Sequence, residues 1–219
     1  MSTDLESRTR LDMRGRTITT FIAYEVHDAL SAAAEGARVD VLTDAFTAID
    51  SDLRAWCRVT GHALVDVDTT GEAWRFTIEK GAPRRSTRKY AAIIENHGLL
   101  ELLAPLGFAL AAALEGHDVS LYFQGPAVKV LERGYVARLH GFGRPFSRFP
   151  RSGLDKAGHI PPQAKIRQIQ RLGGQIYACG PSMDHFKVAE TELAFDDVIV
   201  AEYLTFMEQL DQADIHAYS

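Results

Sequence analysis

The sequence predicts an α/β protein with two domains, a two-layer βαβαββ sandwich followed by a mostly parallel three-layer domain. A hairpin with turn residues closes the first third of the chain, and a basic, proline-containing stretch follows it. Strand-like and helix-like segments then alternate up to the last residue, which predicts a parallel sheet with helices on both faces. We expect a first domain at 1–81, a linker at 82–89 and a second domain at 90–219.

The composition excludes several classes of protein. The 219 residues are 46% hydrophobic and 24% charged, with a net charge of −5, which disfavours nucleic acid as a partner. A polar N-terminus and the interruption of the apolar run 99–114 predict neither a signal peptide nor a membrane span. Two cysteines without a CxxC pair fit a reducing cytoplasm. Because there is no phosphate-binding glycine loop and no ligand-spaced histidine cluster, no cofactor and no metal are expected.

The first domain is predicted from apolar spacing and from its turn residues. Thr19 or Thr20 is expected to cap a helix whose apolar positions recur up to residue 33, with Gly36 as its stop. A second helix is expected to end at Gly61. The strands are expected at 11–15, 38–43, 63–67 and 74–78, and the last two form the hairpin.

These residues resemble the TusA-like sulfur-carrier family. The opening Leu11-Asp12-x-x-Gly15 and the closing Ile78-Glu79-Lys80-Gly81 carry the resemblance. Members of that family hold a persulfide on the cysteine of a CPxP motif, and the motif falls here on Ile18-Thr19-Thr20-Phe21, which has neither the cysteine nor the prolines. The resemblance therefore implies a domain with the fold and without the carrier chemistry. Cys57, on the apolar side of the second helix, is interpreted as a core residue.

Five strands and five helices are predicted in the second domain. The strands are expected at 90–94, 119–123, 175–178, 198–200 and 215–218. The helices are expected at 98–115, 126–132, 162–171, 182–193 and 203–210.

Cys179 is the candidate reactive residue of this domain. It ends an apolar strand, and Gly180 and Pro181 then open a helix. A helix N-terminus favours the thiolate over the thiol. The alternative is that Cys179 is a small buried apolar residue, which is common for a free cysteine. His185, further into the same helix, is a candidate for favouring the thiolate, or else an ordinary surface histidine.

A strand order of 2-1-3-4-5 would place the end of the first strand of this domain beside the third. Glu95, Asn96 and His97 would then share a crevice with Cys179, with Gln124 nearby. The predicted substrate-binding residues are accordingly Asn96, His97, Gly180, Ser182 and His185. Asn96 and His97 are alternatively a helix cap with a solvated neighbour.

The second domain resembles the DsrE-like proteins. Its βα order, its length and the run Ile176-Tyr177-Ala178-Cys179, followed by a Gly/Pro/Ser helix start, carry the resemblance. It implies a flavodoxin-like fold, a homo-oligomer and a persulfide held on Cys179. The whole chain then resembles a cytoplasmic sulfur-trafficking protein or sulfurtransferase, with sulfur donor and acceptor proteins as its partners. The alternatives are a non-catalytic binding or regulatory protein of the same fold, or a protein that binds a small ligand in the crevice.

An arginine-rich insertion interrupts the second domain. Residues 133–151 contain five arginines, three phenylalanines and no Asp or Glu. Arg144, Arg148 and Arg151 are expected to contact an acidic carrier protein or RNA, or to form a lid near Cys179. An oligomer contact or a mobile surface loop is the alternative.

Overall fold

A computed structural model describes residues 9–82, 86, 88–139 and 156–219 of the chain. It contains two compact units, of which the first comprises Met1–Arg85 and Gly153–His159 and the second comprises Ser86–Ser152 and Ile160–Ser219. The expected boundaries did not assign residues from the second half of the chain to the first unit. No helix of the described residues is both long enough and apolar enough to cross a membrane.

Unit 1 is the predicted βαβαββ arrangement. Its elements are β1 (Thr9–Asp12), α1 (Thr19–Ser31), β2 (Arg38–Asp44), α2 (Thr47–Thr60), β3 (Ala63–Asp68) and β4 (Ala73–Glu79). The sheet order is β1-β2-β4-β3, with β1 parallel to β2 and the other pairs antiparallel. Alternation along β2 buries Val39 and Val41, and Phe76 and Ile78 of β4 are paired with them and equally buried. This apolar face forms the core with the buried sides of both helices.

The ends of α1 differ from the prediction. Ile18, not a threonine, is the N-cap residue, and no side chain caps the helix there. The helix ends at Ser31, and Gly36 (φ +78°) lies in the following turn. Gly61 does terminate α2, since it adopts φ +84° and its N–H donates to the Cys57 carbonyl. Side-chain capping by Thr19 or Thr20 was wrong, and the N–H groups of Thr17 and Ile18, just before the helix, donate to the Ala157 carbonyl.

Unit 2 is an α/β domain whose strands are all parallel. Its strands are β5 (Lys89–Ile94), β6 (Asp118–Phe123), β7 (Gln175–Cys179), β8 (Ile199–Ala201) and β9 (Ile215–Tyr218). Its α-helices are α3 (Leu103–Leu114), α4 (Pro162–Arg171), α5 (Gly180–Phe186) and α6 (Tyr203–Asp211), and 3₁₀ helices occur at Gly125–Leu131 and Glu190–Glu192. The predicted helix 182–193 is therefore two short pieces, because Lys187 adopts φ +60° and ends α5.

The strand order in unit 2 is β8-β7-β6-β5-β9. The expected neighbours β5 and β7 are thus separated by β6, and the order 2-1-3-4-5 was wrong. The sequence shows which runs are strands but not which strands pair. One clue was present: β6 is buried from Val119 to Phe123, as expected of a strand with a partner on each side and helices on both faces.

The connections between the strands set the three layers. From β5 to β8 the chain moves one way across the sheet, so right-handed crossovers place α3, α4 and α5 on one face. It then returns from β8 to β9 at the far edge, which places α6 on the opposite face. Phe206 of α6 packs there against Tyr122 of β6 and Tyr177 of β7. Cys179 points to this second face, since it lies two residues after Tyr177.

Candidate functional site

Cys179 is the last residue of β7 and the N-cap residue of α5. Its backbone is extended (φ −69°, ψ 111°), and a proline occupies the first turn of the helix that follows. Cys179 is paired with Ala201 of the neighbouring strand β8. The side chain is only 1% exposed. The thiol therefore lies beneath the carboxyl edge of the sheet rather than on its surface.

Aromatic rings from β6, β7 and α6 form a shelf beside this thiol. Tyr122 pairs with Tyr177 across β6 and β7, and Phe206 lies stacked on Tyr122 with ring centroids 4.8 Å apart. Tyr203 meets the ring of Tyr122 edge-on at 6.3 Å and is 64% exposed. We call Tyr122, Tyr177, Tyr203 and Phe206 the aromatic shelf.

Within the aromatic shelf, the Tyr122 hydroxyl is the group that hydrogen-bonds with the Cys179 side chain. Burial raises the pKa of Tyr122 well above its usual value, and a hydrogen bond with the Cys179 side chain raises it further. The negative charge of Glu202 acts in the same direction. The hydroxyl also lies 3.5 Å from the Ala201 carbonyl oxygen, which is at the limit of a hydrogen bond. Because this hydroxyl stays protonated at neutral pH, it can donate to a sulfur anion at position 179.

A chain of hydrogen bonds joins the ends of neighbouring elements at the same edge. Gly125 donates its N–H to the Ser182 hydroxyl at 2.9 Å, which ties the end of β6 to α5. The Gln124 amide donates to the Glu95 carboxylate. A hydrogen bond with the same carboxylate raises the pKa of the Tyr218 hydroxyl. The carboxyl ends of β5, β6 and β9 are thus linked through Glu95.

The structure separates the predicted substrate-binding residues. Gly180 and Ser182 follow Cys179 directly, and Val200 packs 3.5 Å from the place a Cβ of Gly180 would take. Asn96 is exposed and follows β5, two strands away from β7. His97 is half-buried, and its carbonyl accepts a hydrogen bond from the Tyr135 hydroxyl.

His185 lies in the last turn of α5 rather than near its start. It is exposed, and its ring stacks edge-on against Phe186 at 4.8 Å. The helix has only seven residues, so a position six residues beyond the cysteine already lies at its far end. The arginines Arg144, Arg148 and Arg151 lie outside the described residues.

The sequence reasoning missed the aromatic shelf. Tyr122 lies within the predicted strand 119–123 and was given no role, although two-residue alternation along paired strands could have aligned it with the face of Tyr177 and Cys179. Tyr203 and Phe206 were placed on a helix but carried no signal of where that helix packs. Their position follows from the return of the chain to β9, which only the strand order reveals.

Cys57 is a buried residue of unit 1. It is 3% exposed, and burial raises the pKa of its thiol to about 11. Such a thiol is almost entirely protonated near neutral pH.

Among the described residues, no three His, Cys, Asp or Glu side chains are grouped so as to hold a metal ion.

Comparison with known proteins agrees with the two-part architecture. A model described as the DsrE/DsrF-like family matches residues 89–216, and one described as Sulfurtransferase TusA matches residues 24–80. The second match begins after Ile18–Phe21, where the CPxP motif was expected. No curated protein matches the chain.

Among solved structures, the chain is similar to the crystal structure of the ychN protein from E. coli. The identity is 12% and the TM-score 0.43, over 61% of this chain and 100% of that one. The DsrE/DsrF-like model covers more than half of the present chain, from the start of β5 into β9. The chain therefore belongs to the DsrE/DsrF-like family, joined to a TusA-like domain that precedes it.

Proposed function

We propose that this chain is a sulfur-trafficking protein that carries sulfane sulfur as a persulfide on Cys179. The two family matches point to sulfur relay in general. One observation supports the proposal that the persulfide forms on Cys179. Cys179 is the only cysteine within the matched residues 89–216, and it lies at the carboxyl end of a strand. That edge of a parallel α/β sheet is where ligands commonly bind.

The proposed reaction is an exchange between thiols and persulfides. The Cys179 thiolate attacks the outer sulfur of a donor persulfide, an S–S bond forms at Cys179, and the donor leaves as its thiolate. An acceptor thiolate then attacks the outer sulfur on Cys179, and Cys179 leaves as a thiolate. No external oxidant or reductant is consumed. Tyr122 would donate a hydrogen bond to the anionic sulfur in each resting state.

The burial of Cys179 adds a condition to this proposal. A thiol that is 1% exposed cannot meet a donor protein unless part of its cover moves. We place that movement in α6, because its Tyr203 ring lies at the outer side of the shelf and is largely exposed. Gly180 and Ser182 are retained as the residues that would line the opened site.

The test is persulfide uptake measured by mass spectrometry. After incubation with a persulfide donor and removal of excess, the wild type should gain one sulfur atom on the peptide that contains Cys179. Cys57→Ala is the matched control and should load like the wild type. If Cys179→Ser takes up as much sulfur as the wild type, the proposal is wrong.

A non-catalytic binding or regulatory role is the second candidate, and the burial of Cys179 favours it. A structural thiol would be inert in the folded state. The two roles differ in alkylation: a carrier thiol reacts at a measurable rate under native conditions, whereas a structural thiol reacts only as fast as the protein unfolds.

The proposal also covers the location, the partners and the oligomeric state of the protein. We propose a cytoplasmic location, protein partners that donate and accept sulfur, and a homo-oligomer. The exposed apolar residues of α6 support the last point, since exposed apolar patches mark interaction surfaces. This α6 surface consists of Tyr203, Leu204 and Met207.

A further inference from the structure

Cys179 lies in the last row of side chains at the carboxyl edge of the unit 2 sheet. The final residue pair of β5 with β6 includes Phe123, and so does the final pair of β6 with β7. One residue later, the Gln124 N–H donates to the Ile94 carbonyl oxygen at 3.0 Å, and the Gln124 backbone is still extended (φ −129°, ψ 171°). The parallel register therefore continues for one more step and places Gln124 between Glu95 and Cys179.

A carboxylate lies on each side of the thiol along this edge. On the β5 side, the Glu95 carboxylate accepts a hydrogen bond from the Gln124 amide, which fixes its place beside the row. On the β8 side, Ala201 is paired with Cys179, and Glu202 follows Ala201 directly and is exposed. A molecule that approaches the edge to reach the thiol therefore passes between two negatively charged groups.

Two tyrosine hydroxyls report the sign of the electrostatic field at this edge. The charge of Glu202 raises the pKa of Tyr122, and the charge of Glu95 raises the pKa of Tyr218. Every charged group that shifts the pKa of either hydroxyl raises it, which is the effect of negative charge on a phenol. Among the described residues, no lysine or arginine therefore opposes the two carboxylates at these hydroxyls, and the field there is negative.

We propose that Glu95 and Glu202 determine which sulfur donors reach Cys179: donors with a cationic group beside the reacting sulfur are favoured, and small anionic donors such as thiosulfate are disfavoured. This inference rests on the proposed function and adds the chemical class of the donor. Both carboxylates attract a cation and repel an anion, and such a field changes the rate at which charged molecules arrive. Because Gln124 and Ala201 separate them from Cys179, the carboxylates act on the approach of the donor rather than on the reacting atoms.

Two charged thiol reagents test this selectivity without a persulfide. With trimethylammonioethyl or sulfonatoethyl methanethiosulfonate, the Cys179 thiolate attacks the sulfur next to the ethyl group, a disulfide forms, and methanesulfinate leaves. At low salt, the ratio of the cationic to the anionic rate at Cys179 should be about tenfold higher than the same ratio for the uncharged thiol N-acetylcysteine amide. Both reagents require the same opening of the site, so the burial of Cys179 cancels in the ratio. Peptide mass spectrometry after timed reaction measures both rates.

Two variants remove the charges and keep the size of the side chains. Glu202→Gln and Glu95→Gln should each lower the ratio about threefold. In the wild type, about 1 M NaCl, at which the screening length is about 3 Å, should abolish most of the preference. Asp211→Asn is the matched control, because it removes an exposed carboxylate at the other end of α6 and should leave the ratio unchanged. A wild-type ratio equal to that of the free thiol, or a ratio that neither glutamine variant lowers, would overturn the proposal.

Matched persulfide donors separate this inference from the proposed function. The persulfides of cysteamine and of mercaptopropionate are similar in size and opposite in charge, and at low salt the wild type should load sulfur on Cys179 several-fold faster from the first. Equal loading from both donors contradicts the selectivity and leaves the carrier role intact. A wild type that prefers the cationic thiosulfonate but takes up no sulfur from either persulfide supports the selectivity of the thiol and removes the carrier role.

Discussion

The ring of Phe206 lies stacked on the ring of Tyr122, with centroids 4.8 Å apart and planes inclined by 18°. The same phenyl ring meets Tyr177 edge-on at 5.2 Å. Phe206 is 2% exposed and is the buried residue of α6. One side chain therefore holds the helix against β7, which carries the candidate thiol, and against its neighbour β6.

Loosening this contact should expose Cys179. Phe206→Leu keeps an apolar side chain but loses both ring contacts, and we expect it to reduce the free energy of unfolding by about 1.5 kcal/mol. If α6 opens locally, the same loss should raise the rate of Cys179 alkylation about tenfold, since about 1.4 kcal/mol is a factor of ten in an equilibrium constant. Peptide mass spectrometry after timed alkylation measures both cysteines. Cys57, in unit 1, is the internal control, and an unchanged rate at Cys179 would show that access does not pass beneath α6.

The hydroxyl of Tyr122 should control the chemistry of Cys179 rather than its burial. Tyr122→Phe removes a donor to the anionic sulfur, and a hydrogen bond to a charged group contributes about 1.5–3 kcal/mol. Alkylation of Cys179 at neutral pH should therefore slow about tenfold or more, with little change in stability, because the other bond of this hydroxyl is long.

Tyr177→Phe is the control for that experiment. Its hydroxyl is on the neighbouring strand and bonds to the Gln175 amide oxygen at 2.8 Å instead. This variant should leave the rate of Cys179 alkylation at neutral pH as it is in the wild type. If the two variants react at the same rate, Tyr122 does not donate to the sulfur.

The α6 surface should mediate self-association. Leu204 of this surface is 89% exposed, and a lysine there would place an ammonium group in an apolar contact. Leu204→Lys should therefore shift the protein toward the monomer in sedimentation velocity, without loss of helix content. Leu100→Lys changes an exposed leucine elsewhere in unit 2 and should leave the association unchanged. A wild type that is monomeric at all concentrations would remove the case for a homo-oligomer.

The sequence predicted the elements of the fold better than their arrangement. Helix α4 and the hairpin of β3 and β4 were placed within a residue or two, because proline, glycine and apolar spacing act locally. The strand order of unit 2 was wrong because it depends on pairing between segments far apart in sequence. That error joined Asn96 and His97 to Cys179, from which β6 separates them.

The same difference between local and long-range signals applies to the candidate site. Cys179 could be found from its place between an apolar strand and a Gly-Pro helix start. Its partner Tyr122 could not, because the relevant fact is the pairing of Tyr122 with Tyr177. The contact of residues 156–157 with the residues just before α1 was equally hidden, because Arg16 and Lys156 lie 140 residues apart in the chain.

A buried lysine on α4 should make the stability depend on pH. Lys165 is 3% exposed, and burial lowers its pKa from 10.5 to about 8. Below pH 8 the ammonium is charged in both states, so the folded protein carries the full penalty of burying it. Between that value and 10.5 the unfolded chain binds more protons, and stability therefore rises with pH. At about 1.4 kcal/mol per unit, the total gain is about 3 kcal/mol.

Lys165→Met removes the charge and keeps much of the volume. It should be more stable than the wild type at neutral pH by up to about 3 kcal/mol, and this advantage should shrink as the wild type loses its proton. Urea unfolding of both proteins from neutral pH to beyond 10.5 measures the difference, and Lys187→Met, at an exposed position, should show none. A Lys165→Met protein that is less stable at neutral pH, by an amount independent of pH, would mean that the ammonium is stabilised by its surroundings rather than penalised by burial.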